Sequence, residues 1–181
     1  MVLRKAVIDR PFDDDYFLYD EDILLSWRLR LKGYEIAVAT GSFFFHYIGE
    51  STRRMRERAV YLSERNRTMN LLICYDRKTL AKVFPLLLLA TVAKFLSARD
   101  SLFAKAKAYG WLLTHLKVIR AKRRLIQAER SVPDELILGK ITCRLSKGGG
   151  NLDRFMNRIS LGYCSVLGLP VAELARPSGD L

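Results

Sequence analysis

The chain has few of the residues that build disulfide-linked or metal-held folds. Of its 181 residues, only three are cysteine and two are histidine. The cysteines, Cys74, Cys143 and Cys164, are odd in number and far apart, so we expect neither a disulfide framework nor a cysteine-based zinc site. This usage is typical of the reducing cytoplasm. The first residues also lack the apolar segment of a signal peptide, so a cytoplasmic location is expected.

Long apolar runs are lacking as well. The apolar stretch 83–93 has 11 residues and no stretch without a charged residue exceeds 14, whereas a transmembrane helix needs about 20. A helix over 80–96 with a lysine near each end suits the interface of an anionic membrane. The protein would then be bound peripherally to the inner face of the cell membrane. It equally suits a hairpin of helices packed on a core. The sequence leaves both alternatives open.

Negative charge is scarce overall but concentrated in one place. The chain has 31 Lys and Arg against 19 Asp and Glu, a net charge of +12, yet seven of the acids lie within residues 9–22. A basic surface favours polyanionic partners such as nucleic acid, nucleotide phosphates or anionic lipid. The charge alone supports a basic nucleic-acid-binding or membrane-interface protein without catalysis. No zinc finger, RNP-like pattern or clear helix-turn-helix accompanies it, so this function is kept only as the alternative.

Hydrophobic periodicity predicts mainly helices. A helix is expected over 21–32, with Asp20 as its N-cap and Gly33 as its stop. Two short strands should follow, over 34–38 and 43–46. The remaining segments are expected to be helices over 53–75, 80–96, 101–130 and 134–138, a linker over 146–151, and a weakly patterned tail over 152–181.

The acidic start of the first helix is the best candidate for chemistry. Glu21 and Asp22 are adjacent carboxylates at a helix N-terminus, and His46 follows the predicted strands. A carboxylate in this position can act as a general base, and an imidazole with carboxylates can hold a divalent cation. The residues alone also allow a structural interpretation, in which the acids pair with the helix dipole and His46 packs in the core.

An ordered pattern over residues 11–51 resembles family 2 glycosyltransferases of the rhamnosyltransferase-like type. Their pattern is G-G-F-D-E-x-F-F-x-Y-x-E-D-x-D-L-x-W-R, then G-Y, then a strand ending in His and G-x-S. Residues 64–67, Glu-Arg-Asn-Arg, resemble the family's later R-N segment. The aspartates 13–15 fall in the F-D-E part and do not correspond to the nucleotide-binding D-x-D. The residues that match the pattern are Phe12, Asp13, Phe17, Tyr19, Glu21, Asp22, Leu25, Trp27, Arg28, Gly33, Tyr34, His46, Gly49 and Ser51.

The resemblance implies an α/β fold: a partial GT-A-like sheet with helices at the N-terminal end, followed by a mostly α-helical C-terminal region. It covers 11–67 well and the helices to about 130 loosely. The expected domains are the C-terminal, acceptor-side half of a GT-A-like domain over 1–76, a basic amphipathic helical region over 77–145, and a linker and tail over 146–181. The family's N-terminal nucleotide-binding half is expected to be missing. The chain would then be a truncated gene product, a product of a misplaced start codon, or one subunit of a split enzyme whose partner chain supplies that half.

The resemblance further implies inverting transfer of a sugar from a nucleoside-diphosphate sugar to a glycan or lipid-linked acceptor, as in cell-surface polysaccharide biosynthesis. By that match, Asp22 is the base that deprotonates the acceptor hydroxyl and Glu21 helps to position it. His46 would help to ligate Mg²⁺ or Mn²⁺, which neutralises the diphosphate leaving group.

Two further residues of the match are substrate-binding candidates. Arg28 can pair with the carboxylates or lie on the helix surface. Trp27 lies on the apolar stripe of the helix, which favours core packing over a platform for a sugar ring. The chain departs from the family pattern at Leu24, which stands where the family has a further acid.

Overall fold

The computed structural model describes residues 8, 10–37, 40, 41, 43, 45, 55–97, 101–145 and 150–173. Within these ranges, 68% of the residues are helical and no strand is formed. The helices are α1 (Glu21–Leu31), α2 (Arg56–Cys74), α3 (Arg77–Ser97), α4 (Leu102–Thr114), α5 (Leu116–Ala128), α6 (Asp134–Leu138) and α7 (Asn151–Val166).

The expected α/β class is therefore wrong, and the described part of the chain is all-α. Residues 34–37, predicted as a strand, have exposed side chains and no ladder. Phe43 and Phe45, predicted to be buried in the second strand, are each 85% exposed. Alternating or aromatic residues favour a strand only where neighbouring strands pair with its backbone, and these segments have no such neighbours in the described ranges. Val38, Phe44 and His46 lie outside the described residues.

Two compact units are formed. The first comprises Met1–Tyr75 and Phe95–Ser131, and the second comprises Asp76–Lys94 and Val132–Leu181. The sequence-based divisions at 76 and 145 stay predictions. Among the described residues, none of the helices has both the length and the apolar character that crossing a bilayer requires.

The first unit is organised around α2, which packs against α1, α4 and α5. Its core includes Leu25 and Leu31 of α1 and Met69 and Ile73 of α2, each no more than 1% exposed. The predicted helix over 21–32 is confirmed as α1. It ends as expected at Gly33, whose φ of 85° is in the left-handed region that glycine adopts without a Cβ clash.

The predicted single helix over 101–130 is divided at His115, which has φ −109° and ψ 28°. The Thr114 hydroxyl donates to the carbonyls of Gly110 and Trp111, at 3.0 and 3.1 Å, and His115 Nδ1 lies 2.9 Å from the Trp111 carbonyl. These side chains compete with the backbone for the same carbonyls, which bends or interrupts a helix.

The second unit contains most of α3 together with α6 and α7. Asp76 caps α3, since its Oδ1 accepts from the Thr79 N–H at 2.7 Å, and its own N–H donates to the buried Asp134 at 2.7 Å. The Tyr163 hydroxyl on α7 donates to the Lys82 carbonyl on α3 at 2.9 Å. The predicted helical turn over 134–138 is confirmed as α6.

Candidate functional site

The loop before α1 has an unusual backbone. Phe17, Tyr19 and Asp20 have φ values of 59°, 67° and 62°. Non-glycine residues adopt this left-handed conformation at a cost of roughly 1–2 kcal/mol each, so the surrounding structure must fix it. We call residues 13–20 the acidic loop, because it carries four aspartates and leads directly into the carboxylates of α1.

Asn66 of α2 holds this loop. Its Nδ2 lies 3.1, 2.9 and 2.8 Å from the carbonyl oxygens of Tyr16, Leu18 and Tyr19. The side chain is fully buried, and its Oδ1 accepts from Arg65 Nε at 2.9 Å. The two N–H donors of one amide are therefore shared among three carbonyls of a strained loop, which is how a buried polar group can fix a backbone shape.

Three further side chains complete the hold on the acidic loop. Arg65 Nη2 donates to the Asp15 carbonyl at 2.5 Å, and Asn70 Nδ2 donates to the Asp20 carbonyl at 3.0 Å. The buried Tyr16 hydroxyl donates to Asn70 Oδ1. Burial raises the pKa of Tyr16 above its ordinary value, so the phenol keeps the proton that it donates.

On the other side, Lys122 of α5 fixes the start of the acidic loop. Its Nζ lies 2.5 Å from Asp13 Oδ2 and 2.8 Å from Asp15 Oδ2. These hydrogen bonds raise the pKa of Lys122 although its partial burial opposes them. Because the Lys122 side chain is only 16% exposed, this ion pair is better shielded from salt than a surface pair.

Asp20 is the first of three consecutive carboxylates at the start of α1. The prediction that its side chain caps the helix is wrong: the structure has no side-chain cap bond there, and only the Asp20 carbonyl accepts from Leu24, at 3.0 Å. The physical reason is its left-handed backbone, since an N-cap residue normally has extended φ and ψ that aim the side chain at the helix amides.

The environment of Asp20 favours its protonated form. Burial raises the pKa of Asp20 to about 6, the nearby Arg67 opposes this, and the neighbouring carboxylates Asp22 and Glu21 add to it. A carboxyl group with a pKa close to neutral can exchange protons with its neighbours under physiological conditions. Sequence reasoning assigned Asp20 only a structural role and missed this property.

Glu21 and Asp22 differ in exposure. Asp22 is exposed, and its Oδ1 accepts from the Ile23 N–H at 2.8 Å at the positive end of α1. Glu21 is half-buried, and its Oε2 is buried without a hydrogen-bond partner in the described chain. The two side chains thus offer one reachable carboxyl group and one shielded carboxyl oxygen at adjacent positions.

Arg28 and Trp27, the substrate-binding candidates, contact other parts of the first unit. Arg28 Nη1 donates to the Arg10 carbonyl at 3.0 Å, and Nη2 pairs with Glu129 of α5 at 3.4 Å. Trp27 is half-buried and packs edge-to-face against Tyr75, with ring centroids 4.9 Å apart. Neither contact is with Glu21 or Asp22.

The expected metal ligand, His46, lies outside the described residues. In the part of the chain that the structure describes, no three His, Cys, Asp or Glu side chains form a group that could hold a metal ion. The metal therefore rests on the family resemblance.

The residues that sequence reasoning did not assign are those that hold the acidic loop: Asn66, Asn70, Arg65, Tyr16 and Lys122. Arg65 and Asn66 were noticed only as part of the R-N segment. A signal for Asn70 exists, because Asn66 and Asn70 are four residues apart and so share one face of α2.

Comparisons of the chain with protein-family models, with curated proteins and with solved structures find no match. The resemblance to family 2 glycosyltransferases is thus carried by the residues quoted above.

Proposed function

We propose that this chain is the acceptor-side part of an inverting glycosyltransferase, which transfers a sugar from a nucleoside-diphosphate sugar to a hydroxyl of a glycan or lipid-linked acceptor. One observation supports it best: a strained loop, fixed by buried amides of α2, leads Asp20, Glu21 and Asp22 into the N-terminus of α1. Proteins retain such strain mainly at functional sites.

In this proposal Asp22 is the general base. Its exposure lets an acceptor hydroxyl reach it, and the helix N-terminus with the Ile23 amide stabilises the carboxylate anion. The acceptor oxygen attacks the anomeric carbon while the bond from that carbon to the diphosphate oxygen breaks. The acceptor proton passes to Asp22, and the electron pair leaves with the nucleoside diphosphate.

Glu21 and Asp20 serve this base indirectly. Asp20, whose pKa burial raises to about 6, can take up or release a proton close to the base near neutral pH. Glu21 is assigned the positioning of the acceptor, because its shielded oxygen can accept a hydrogen bond from a substrate hydroxyl once the side chain turns outward.

The proposal retains a divalent ion, Mg²⁺ or Mn²⁺, with His46 as one ligand. Bound there, the ion would neutralise the diphosphate leaving group. The nucleotide-binding part would be supplied by a partner chain that carries the family's N-terminal half. Trp27 and Arg28 would act through packing and through the Glu129 ion pair, since these are the contacts that they make.

A peripheral site on the inner face of the cell membrane suits a lipid-linked acceptor. In the second unit, α3 exposes Phe84, Leu88 and Val92, at 57%, 54% and 47%, which recur on one helix face.

The first turns of α3 expose Arg77, Lys78 and Lys82, and α3 contains no acidic residue. An apolar face with cations at one end is typical of a helix lying on anionic lipid. The same face also supports the second candidate function, a membrane-interface protein without catalysis.

The test compares the full chain with its Asp22→Asn variant. Each is mixed with a separately expressed donor half of a rhamnosyltransferase-like enzyme, nucleoside-diphosphate sugars and a glycan or lipid-linked acceptor, and release of nucleoside diphosphate is measured. We expect transfer by the wild type in the mixture, loss of about 100-fold or more in Asp22→Asn, and loss on removal of divalent ions. Asn keeps the size and fold. Equal rates in the two proteins, or no transfer with any donor, would contradict the proposal.

A further inference from the structure

A cavity of about 430 Å³ opens in the first unit between the acidic loop, α1 and α5. Its size is within the usual range of ligand pockets, roughly 300–1,000 Å³. Leu24 of α1 and Ile126 of α5 are among the apolar residues that line it, and both are buried. The cavity therefore has a firm apolar wall formed by two helices that belong to one compact unit.

The charges that line the cavity are largely paired. Lys122 is paired with Asp13 and Asp15, and Arg28 is paired with Glu129. Such pairs cancel much of each other's field, so a strongly charged ligand gains little there. They still offer hydrogen-bond donors and acceptors close together, which is what hydroxyl groups need because each both donates and accepts.

Two features of the lining, an unpartnered donor and an exposed apolar rim, point to a polyol in particular. Arg28 Nε is buried and has no hydrogen-bond partner in the described part of the chain. Such an orphaned donor is costly, by about 1–3 kcal/mol, and a ligand hydroxyl can satisfy it after a small shift. At the rim, Phe12 is 55% exposed and Leu125 is 71% exposed. An exposed ring beside polar groups suits a molecule with one apolar face and a polar edge.

The position of the cavity relates it to Glu21, the residue assigned to positioning the acceptor. Glu21, Leu24 and Arg28 are spaced three and four residues apart, so they follow one face of α1. Leu24 and Arg28 line the cavity, and Glu21 is one turn closer to the start of the helix. A ring held in the cavity can therefore extend a hydroxyl toward Glu21.

We infer that this cavity binds a neutral pyranose ring of the acceptor, with its hydroxyls on the charged pairs and its apolar face on Phe12. The identity of the ring as an acceptor rests on the proposed function. The binding itself does not, since it depends only on the cavity and its lining.

Binding is measured on the full chain by saturation-transfer NMR and by titration, with methyl α-L-rhamnopyranoside and methyl α-D-glucopyranoside as probes. We expect a dissociation constant on the order of 1 mM for at least one glycoside, which corresponds to about −4 kcal/mol. Phe12→Ala and Asp14→Asn, both of exposed cavity residues, should weaken it by about fivefold or more, which is about 1 kcal/mol. Inorganic phosphate and cyclohexanol should not compete.

The matched controls are Phe103→Ala and Glu57→Gln, which change exposed residues that do not line this cavity. Both should leave binding unchanged. The inference would be overturned if neither glycoside bound, if Phe12→Ala and Phe103→Ala bound the glycoside equally, or if phosphate bound more strongly than the glycosides. Glycoside binding without sugar transfer would refute the proposed function alone, whereas Asp22-dependent transfer without glycoside binding would refute the cavity assignment alone.

Discussion

Asn66 makes more contacts with the acidic loop than any other single side chain described above. Its two N–H donors are shared among three carbonyls, of which that of Tyr16 also accepts from the Leu18 N–H at 2.6 Å. If Asn66 no longer donates, the carbonyls of Leu18 and Tyr19 pay part of their desolvation cost. The shape of the loop, and hence the position of the carboxylates, should therefore depend on this residue.

The variants Asn66→Ala and Asn66→Asp should lower the free energy of unfolding by on the order of 3 kcal/mol. Asn66→Asp conserves size but replaces the donor with an oxygen that the carbonyls repel. Urea unfolding followed by circular dichroism measures the change. Asn151→Ala, at an exposed position of α7, is the control and should stay within about 0.5 kcal/mol of the wild type. A loss in Asn66→Asp no larger than the control's would contradict this role.

Asp20 gives a pH dependence with a definite sign. Its pKa is raised from 3.8 to about 6 on folding, so the folded chain binds more protons than the unfolded chain between these values. Stability contributed by Asp20 is therefore present below pH 4 and is lost as the pH rises towards 6. Asp20→Asn, which also tolerates the left-handed backbone, should remove this loss.

The measurement is the melting temperature of wild type and Asp20→Asn from pH 4 to pH 8. The variant should gain relative to the wild type across pH 4–6 and keep a constant advantage above it. Asp14→Asn removes an exposed carboxylate of the same loop and should follow the wild type. A difference between Asp20→Asn and the wild type that does not change with pH would show that burial of the charge is not the cause.

At the scale of the elements, the amphipathic helices could be predicted from the sequence, but their partners could not. Helix α1 and the turn α6 were predicted almost to the residue because large apolar side chains recur at helical spacing. Helix α7 was missed although Phe155, Ile159 and Tyr163 recur in it every four residues. Its fully buried positions, Ser160 and Cys164, are by contrast small and only weakly apolar. The sheet was predicted from a family pattern whose strands need neighbours that the described residues do not supply.

The exposed face of α3 leads to a prediction for lipid binding. The test is co-sedimentation with vesicles that contain anionic phosphatidylserine. The wild type should bind, and the double variant Leu88→Glu with Val92→Glu should bind at least about fivefold more weakly, since both charges enter the apolar face. The control is Phe103→Glu, which puts the same charge at an exposed apolar residue of α4. Equal binding by the α3 variant and the control would exclude this face as the contact.

At the scale of the whole molecule, charge is unbalanced. A net charge of +12 on 181 residues favours expanded states through self-repulsion. Sodium chloride should therefore stabilise the protein by screening. We expect the free energy of unfolding to rise by on the order of 1 kcal/mol between 0.02 and 0.2 M sodium chloride, a range in which the Debye length falls below about 10 Å. This corresponds to a rise of about 3 °C in the melting temperature.

Choline chloride at the same ionic strength serves as the comparison, because screening does not depend on the identity of the cation. A melting temperature that falls in both salts would mean that ion pairs such as those of Lys122 outweigh the general repulsion. The amount of charge could be read from the sequence. Its arrangement could not, because the pairing of Lys122 with aspartates more than 100 residues earlier depends on the packing of α5.

The hold of α2 on the acidic loop also has a consequence for the order of folding. Its hydrogen bonds join residues 47 to 54 positions apart in the chain. Closing so long a segment costs entropy before any of these bonds forms, so such contacts arise late relative to the helices themselves. During synthesis, the acidic loop must therefore wait for residue 70 before it can take its final conformation. Any event that unravels the middle of α2 would release the carboxylates while leaving the local helical structure of α1 intact.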